Sequence, residues 1–300
     1  CRILYSKLSS QGSRNEIINE IRSALGINLI SRRSFLKKGV VIAGTTMFPK
    51  IKGTVHHSLL KSHWQMVPKL PAVMEHKGWR VSAALLREWF KRPTHNNPLT
   101  GKPNQNIIKM KWLLNFPRAK AVFNKIIDEK IWVNKAAQTE ITKLLLRENK
   151  LLSVPSSFGN FSKSVAELNK QYIQFREVGR WWDPEFDDLG ATLGRFIFRV
   201  VVAGKTYPLK QSMLGKKRWR IEITEVGIYL RDSIDFNGSQ LLACWNIEKN
   251  TMGATTFGGK VLITENDFRD YRKHTGKGGD FLVFSDLKRI STEDEFVIKL

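Results

Sequence analysis

The chain is poor in cysteine, with Cys1 and Cys244 the only two among 300 residues. Cys1 is the first residue and Cys244 sits in the apolar run LLACW, so no bridge between them is expected. Two thiols build neither a disulfide framework nor a cysteine-rich zinc site. The sequence contains no GxGxxG, GxSxG, HExxH or CxxC. These absences remove the common readings as a dinucleotide-dependent enzyme, a hydrolase with a nucleophile elbow, or a zinc peptidase. No apolar run approaches the roughly 18 residues that a membrane-spanning helix requires. Acidic residues are scarce in the front half. Residues 1–150 hold 28 Lys and Arg against 8 Asp and Glu, while residues 151–300 hold 22 against 19. The net charge of +23 is therefore concentrated in the first half, and any contact with a polyanion is expected there.

What the chain does have is a hydrophobic fraction of 42% and nine tryptophans, enough for a folded core. The most ordered pattern is RWRIEITEVGIYLRDSIDFNG, residues 218–238. Trp219, Ile221 and Ile223 alternate with polar residues, as in a strand with one buried face. A second alternation, Val226, Ile228 and Leu230, follows and ends in Asp232, Asp235 and Asn237, with Gly238 opening a turn.

Upstream the periodicity is helical. Residues 14–26 carry Ile17, Ile18, Ile21 and Leu25, and residues 71–90 carry Val81, Leu85 and Trp89 on one row, ended by Pro93. Helices are also expected at 107–116, at 119–130, and after Asn134, whose side chain is placed to cap a helix burying Ala137, Ile141, Leu144 and Leu145. A Ser/Gly/Pro-rich junction at 152–170 separates this region from strand-like segments at 172–178, 193–203, 241–247, 260–264 and 281–284, with a helical turn at 266–274. The fold class expected is α+β: a basic helical N-terminal part and a C-terminal antiparallel β-rich domain. The division expected is an N-terminal extension at 1–50, a basic helical region at 51–152 and a β-rich domain at 165–300.

Ser31-Arg32-Arg33-Ser34-Phe35-Leu36-Lys37 resembles the twin-arginine export signal, with Arg32, Arg33, Phe35 and Leu36 as its marks and the mildly apolar GVVIAGTTMF behind it. Export to the periplasm or beyond is expected if this signal is used, and a cytoplasmic location otherwise. His56, His57 and His63 lack a carboxylate or cysteine at ligand spacing and are read as surface histidines. Asp183, Glu185, Asp187 and Asp188 crowd one loop without the EF-hand order, which reads as a solvated acidic loop. The sequence names no cofactor and no metal.

Three segments, MEHKGWRVSAALLREWFKRP, VGIYLRDSIDFNGSQLLACW and NDFRDYRKHTGKGGDFLVFSD, resemble landmarks of the bacterial domain-of-unknown-function 6402 family. The resemblance covers about residues 65–290 and implies a setting of type VI secretion and polymorphic toxins. It implies an antibacterial effector or effector accessory, with a secretion-apparatus or immunity protein as partner, and it assigns no catalytic residue. The run Asp232-Ser233-Ile234-Asp235-Phe236-Asn237 is also similar to the aspartate-rich motif of colicin-M-type toxins, with Ile234 where a tyrosine is expected. That likeness implies a metal-assisted phosphodiesterase acting on a lipid-linked cell-envelope precursor. Asp232, Asp235, Asn237, Arg269 and His274 would be its catalytic residues, the carboxylates holding a metal or activating water and the cations neutralising the departing phosphate. A third reading is a nucleic-acid or anionic-lipid binding module built on the basic helices.

Overall fold

The computed structural model describes residues 62–179, 187–210, 217–237, 241–246, 248–249, 251–253 and 261–300. The expected helix at 14–26, the twin-arginine-like string, His56, His57, Asp183, Glu185 and Gly238 lie outside these residues. Along the chain run the helices α1 (Leu70–His76), α2 (Arg80–Lys91), α3 (Met110–Leu113), α4 (Pro117–Asp128), α5 (Lys135–Arg147), α6 (Val165–Leu168), α7 (Asp188–Thr192) and α8 (Glu265–Thr275). The strands are β1 (Ser156–Phe158), β2 (Gln174–Val178), β3 (Phe196–Leu209), β4 (Arg218–Ile234), β5 (Leu241–Asn246), β6 (Thr251–Gly253), β7 (Val261–Thr264), β8 (Phe281–Phe284) and β9 (Lys288–Lys299). Helices lead, antiparallel strands follow, and the fold is α+β with a β-rich C-terminal region. Among the described residues no helix is long and apolar enough to cross a membrane.

The chain folds into two compact units, each made of two stretches. One takes its described residues from 62–96 and 235–280, the other from 97–234 and 281–300.

The second unit is built on two long central strands. β3 and β4 pair antiparallel from Ile197↔Arg231 to Leu209↔Arg218. β1 and β2 share the far edge of β3, and β8 and β9 share the far edge of β4. A β-bulge at Thr224 explains the two alternations of the sequence. Ala203 pairs with Glu225 and Gly204 with Ile223, so Thr224 is the extra residue. With one residue looped out, Trp219, Ile221 and Ile223 continue onto the same face as Val226, Ile228 and Leu230.

That face is covered by α4 and α5. Phe123 of α4 meets Phe198 of β3 edge to face, ring centroids 6.0 Å apart. The expected Asn134 cap is present: its side chain accepts from the Ala137 N–H at 2.8 Å, and Ala137, Ile141, Leu144 and Leu145 are buried. The opposite face is covered too, contrary to the expectation of a strand buried on one side. α6, started by a Ser164–Glu167 capping box, brings Val165 and Leu168 onto Val201, Tyr229 and Phe284. Residues 226–234 are consequently buried on both faces.

Three other expectations are corrected. The helix expected at 107–116 is confined to α3, because Phe116 precedes Pro117 and is held extended at φ −92°, ψ 120°. The strand expected from 193 starts at Phe196, since Leu193 closes α7 and Gly194 is left-handed at φ 57°. Residues 71–90 form two helices rather than one. Gly78, at φ 78°, ends α1 in a Schellman turn: its N–H donates to Glu75 O and the Trp79 N–H to Met74 O, both at 2.8 Å.

In the first unit α2 buries Leu85 and Trp89 of the expected row, with Ala83 and Leu86 beside them, while Val81 of that row is half-buried. Trp89 lies in an aromatic core: Phe236 and Phe268 stack at 3.8 Å, and Trp89 meets both edge-on at 5.0 and 5.5 Å. α8 starts at a Thr264–Asp267 capping box and ends on left-handed Gly276. The small sheet of this unit runs in the order β6-β5-β7.

Candidate functional site

The glycine-rich turn after α8 places a carboxylate in the core of the first unit. Gly276 closes the helix, Gly278 takes φ 99°, and Asp280 follows at 1% exposure. A transferred carboxylate without partners would cost several kcal/mol, and Asp280 has three donors. Trp89 Nε1 donates to Oδ1 at 2.9 Å, Asn237 Nδ2 donates to Oδ2 at 2.7 Å, and the Arg272 guanidinium pairs with Oδ1. Arg272 also lies 5.3 Å from the centre of the Trp89 ring. Burial pushes the Asp280 carboxyl above the ordinary aspartate value, against the pull of Trp89, Arg272 and Asn237, and Asp235 adds to the rise. The backbone of the same turn is sewn to the end of α2, with Gly278 N–H donating to Arg92 O at 2.9 Å and Asp280 N–H to His95 O at 2.9 Å.

The five residues singled out from sequence are placed as follows. Asp232 lies in the second unit on β4, opposite Val283, and is 5% exposed. Asp235 lies in the first unit just past the end of β4, 8% exposed. Asn237, besides its bond to Asp280, donates to the Asn96 carbonyl at 3.0 Å. Arg269 donates to the Phe236 carbonyl at 3.5 Å and to the Asn266 side chain. His274 stacks on Trp64 with ring centroids 4.6 Å apart and shares a 2.7 Å hydrogen bond between Nδ1 and the Asp270 carbonyl. The structure thus brings Asn237 to Asp280, Arg272 and Trp89, three residues that the sequence reading did not assign to a site. A carboxylate set between a glycine pair and a buried FLVF strand was the available signal, because such a group must find donors.

Among the described residues no group of three or more His, Cys, Asp or Glu side chains is arranged to hold a metal ion. In the acidic loop, Asp187 is occupied otherwise: it caps α7 through the Gly190 N–H at 2.7 Å and takes Arg118 bidentately at 2.6 Å. Of the histidine group, His63 contributes its backbone N–H to Asp267 Oδ1 at 2.6 Å. The first unit also carries an open groove of about 310 Å³, floored by Pro68, Pro71, Phe90 and Tyr271, with Arg87 and Lys91 among its walls. None of the five residues lines it.

No curated protein and no solved structure matches this chain. One family model does, over residues 66–258 and 247–300, a span that takes in α1 to β9. The chain therefore belongs to DUF6402, a family of unknown function.

Proposed function

We propose that this chain is a secretion-associated antibacterial effector accessory that acts by binding a protein partner, a secretion-apparatus or immunity protein, rather than by breaking a bond. The observation that supports this reading is how the polar groups of the candidate site are used. Asn237, Arg269 and His274 all bond within the first unit, to Asp280, Phe236 and Asp270 among others. Asp232 and Asp235 are almost wholly buried. A general acid or base has to reach its substrate to within hydrogen-bond distance. The setting in secretion comes from the sequence resemblance, and the twin-arginine-like Arg32-Arg33-Phe35-Leu36 string supports an exported protein.

The rival is the metal-assisted phosphodiesterase acting on a lipid-linked envelope precursor. Expression in a bacterial host, cytoplasmic against periplasm-directed, with an Asp232→Asn/Asp235→Asn double variant beside each, separates the two. The accessory reading expects no killing in either compartment and stoichiometric copurification with a secretion-apparatus or immunity protein encoded beside it. Periplasmic killing that the double variant abolishes would overturn it in favour of the enzyme.

A further inference from the structure

Between Glu88 and Asp128 the chain has no acidic residue. Within the second unit, residues 97–127 supply Lys102, Lys109, Lys111, Arg118, Lys120 and Lys125. Asp187 takes Arg118 at 2.6 Å, and Glu129, four residues on, lies 3.5 Å from Lys125. Lys109, Lys111 and Lys120 are exposed.

The fold sets aromatic rings among these lysines. Lys109 is the residue before α3, and Lys111 and Trp112 are neighbours within it. Trp112 and Phe116 are half-buried and meet edge to face at 5.1 Å, and the Arg118 guanidinium lies 5.5 Å from the Phe116 ring centre. The Lys120 N–H donates to the Phe116 carbonyl at 3.0 Å, which fixes this lysine one turn above that ring. Three exposed lysines and two half-buried rings therefore flank the bend between α3 and α4.

Exposed like charges gathered along one short stretch of chain gain from a polyanion that displaces their counterions. The rings decide which polyanion. A membrane surface calls for apolar side chains that protrude. The exposed large apolar residues of the described chain, Leu99, Leu146 and Val154 among them, all lie outside 109–120. Half-buried rings keep part of their surface open without protruding, which suits an unpaired base, and a four-residue helix is too short to read a duplex groove. We propose that the strip from Lys109 to Lys120 binds single-stranded nucleic acid, the lysines meeting phosphates and the Trp112–Phe116 pair stacking a base. This binding is separate from the partner recognition proposed above and does not rest on it.

The test is fluorescence anisotropy of the full chain with a labelled mixed-sequence single strand over a series of salt concentrations. Other basic segments of the chain add a background, so the readout is the difference between variant and parent. The Lys109→Gln/Lys111→Gln/Lys120→Gln variant should lower the slope of log affinity against log salt by about 2, from roughly 0.7 per phosphate. Trp112→Leu should weaken binding about tenfold or more with the slope unchanged, and Trp112→Phe, which keeps a ring, should stay close to the parent. Unchanged slope in the triple variant, equal loss in Trp112→Leu and Trp112→Phe, or tighter binding to the matching duplex or to phosphatidylserine vesicles would each overturn the proposal.

Discussion

The indole N–H of Trp89 donates to Oδ1 of Asp280 at 2.9 Å, joining residues 191 positions apart. This bond ties the end of α2 to the turn after α8, and Asn237 and Arg272 complete the hold on the same carboxylate. The side chains of Arg272 and Asp280 are 11% and 0% exposed, so the pair stands in for solvent rather than competing with it. Its contribution is to fix which segments of the first unit meet, the role for which buried polar contacts are best attested.

Asp280 makes the stability of the protein depend on pH in a direction opposite to ordinary ion-paired carboxylates. Burial raises its folded value above the unfolded value of about 3.9. The folded state then holds the proton more tightly, so the stability contributed by this group is full below the unfolded value. It is lost as pH rises through the raised folded value. Asp187 and Asp294 have lowered values and give the reverse slope, so the comparison must be with a variant. Urea midpoints measured from acid to neutral pH should show the parent losing ground to Asp280→Asn as pH rises. A difference that stays constant with pH would refute the raised value.

Two glycines of the same turn should respond differently to alanine. A Cβ on Gly278 would lie 2.3–2.8 Å from carbons of the Trp89 ring, at a φ of 99°. Backbone strain and the displaced core ring together should cost about 2–4 kcal/mol. Gly276, at φ 65°, has open space around the same position, so Gly276→Ala should cost only about 1 kcal/mol. Denaturant midpoints of the two variants check the order, and equal losses would mean that Trp89 moves aside freely.

In the second unit Asp187 combines two duties that can be separated. Burial pushes its carboxyl up, but the Arg118 guanidinium and the Gly190 and Leu189 N–H groups outweigh that and hold it below the usual range. Stability from this group is present above the unfolded value and lost as pH falls through the lowered one. Asp187→Asn keeps a capping oxygen and loses the ion pair, a partly exposed one worth about 0.5–1 kcal/mol. Asp187→Ala loses the cap as well and should cost about 1 kcal/mol more. Thermal melting at neutral pH should rank parent, Asp187→Asn and Asp187→Ala in that order of stability.

How much of this was legible in the sequence follows from where each interaction is made. The Asn134 cap and the helix after it, the alternations of β4 and the turn at 276–279 are set by residues within a few positions of one another, and they were read. β9 was not: KRISTEDEFVIK is mostly polar, because that strand lies along the sheet edge with only Ile298 buried. Nothing local says that residues 235–280 fold with 62–96 either. That association rests on Phe236 and Phe268 packing on Trp89, and on Asp280 finding its three donors, none of which is a pattern of spacing. At the candidate site, Asn237 was visible at the end of the β4 alternation and Trp89 as part of a helical row, while no spacing in the sequence joins either of them to Arg272 or Asp280.

The bulge at Thr224 gives a sharper test of the sheet than any core truncation. Thr224 is exposed, and its hydroxyl reaches only the Ala203 carbonyl, at 3.4 Å. Thr224→Ala should therefore change stability by no more than about 0.5 kcal/mol. Deleting Thr224 should also preserve the faces, because side chains alternate along a strand with a period of two and the bulge is what absorbs the odd residue. Without Thr224, Ile223 and Val226 stand two positions apart, so Trp219, Ile221, Ile223, Val226, Ile228 and Leu230 all stay on the face covered by α4 and α5 in a regular strand. The deletion variant should therefore keep a cooperative melting transition and its near-ultraviolet circular dichroism, as Thr224→Ala does. Loss of both in the deletion variant would show that the sheet needs the bend and twist of the bulge itself and not only the alternation of β4.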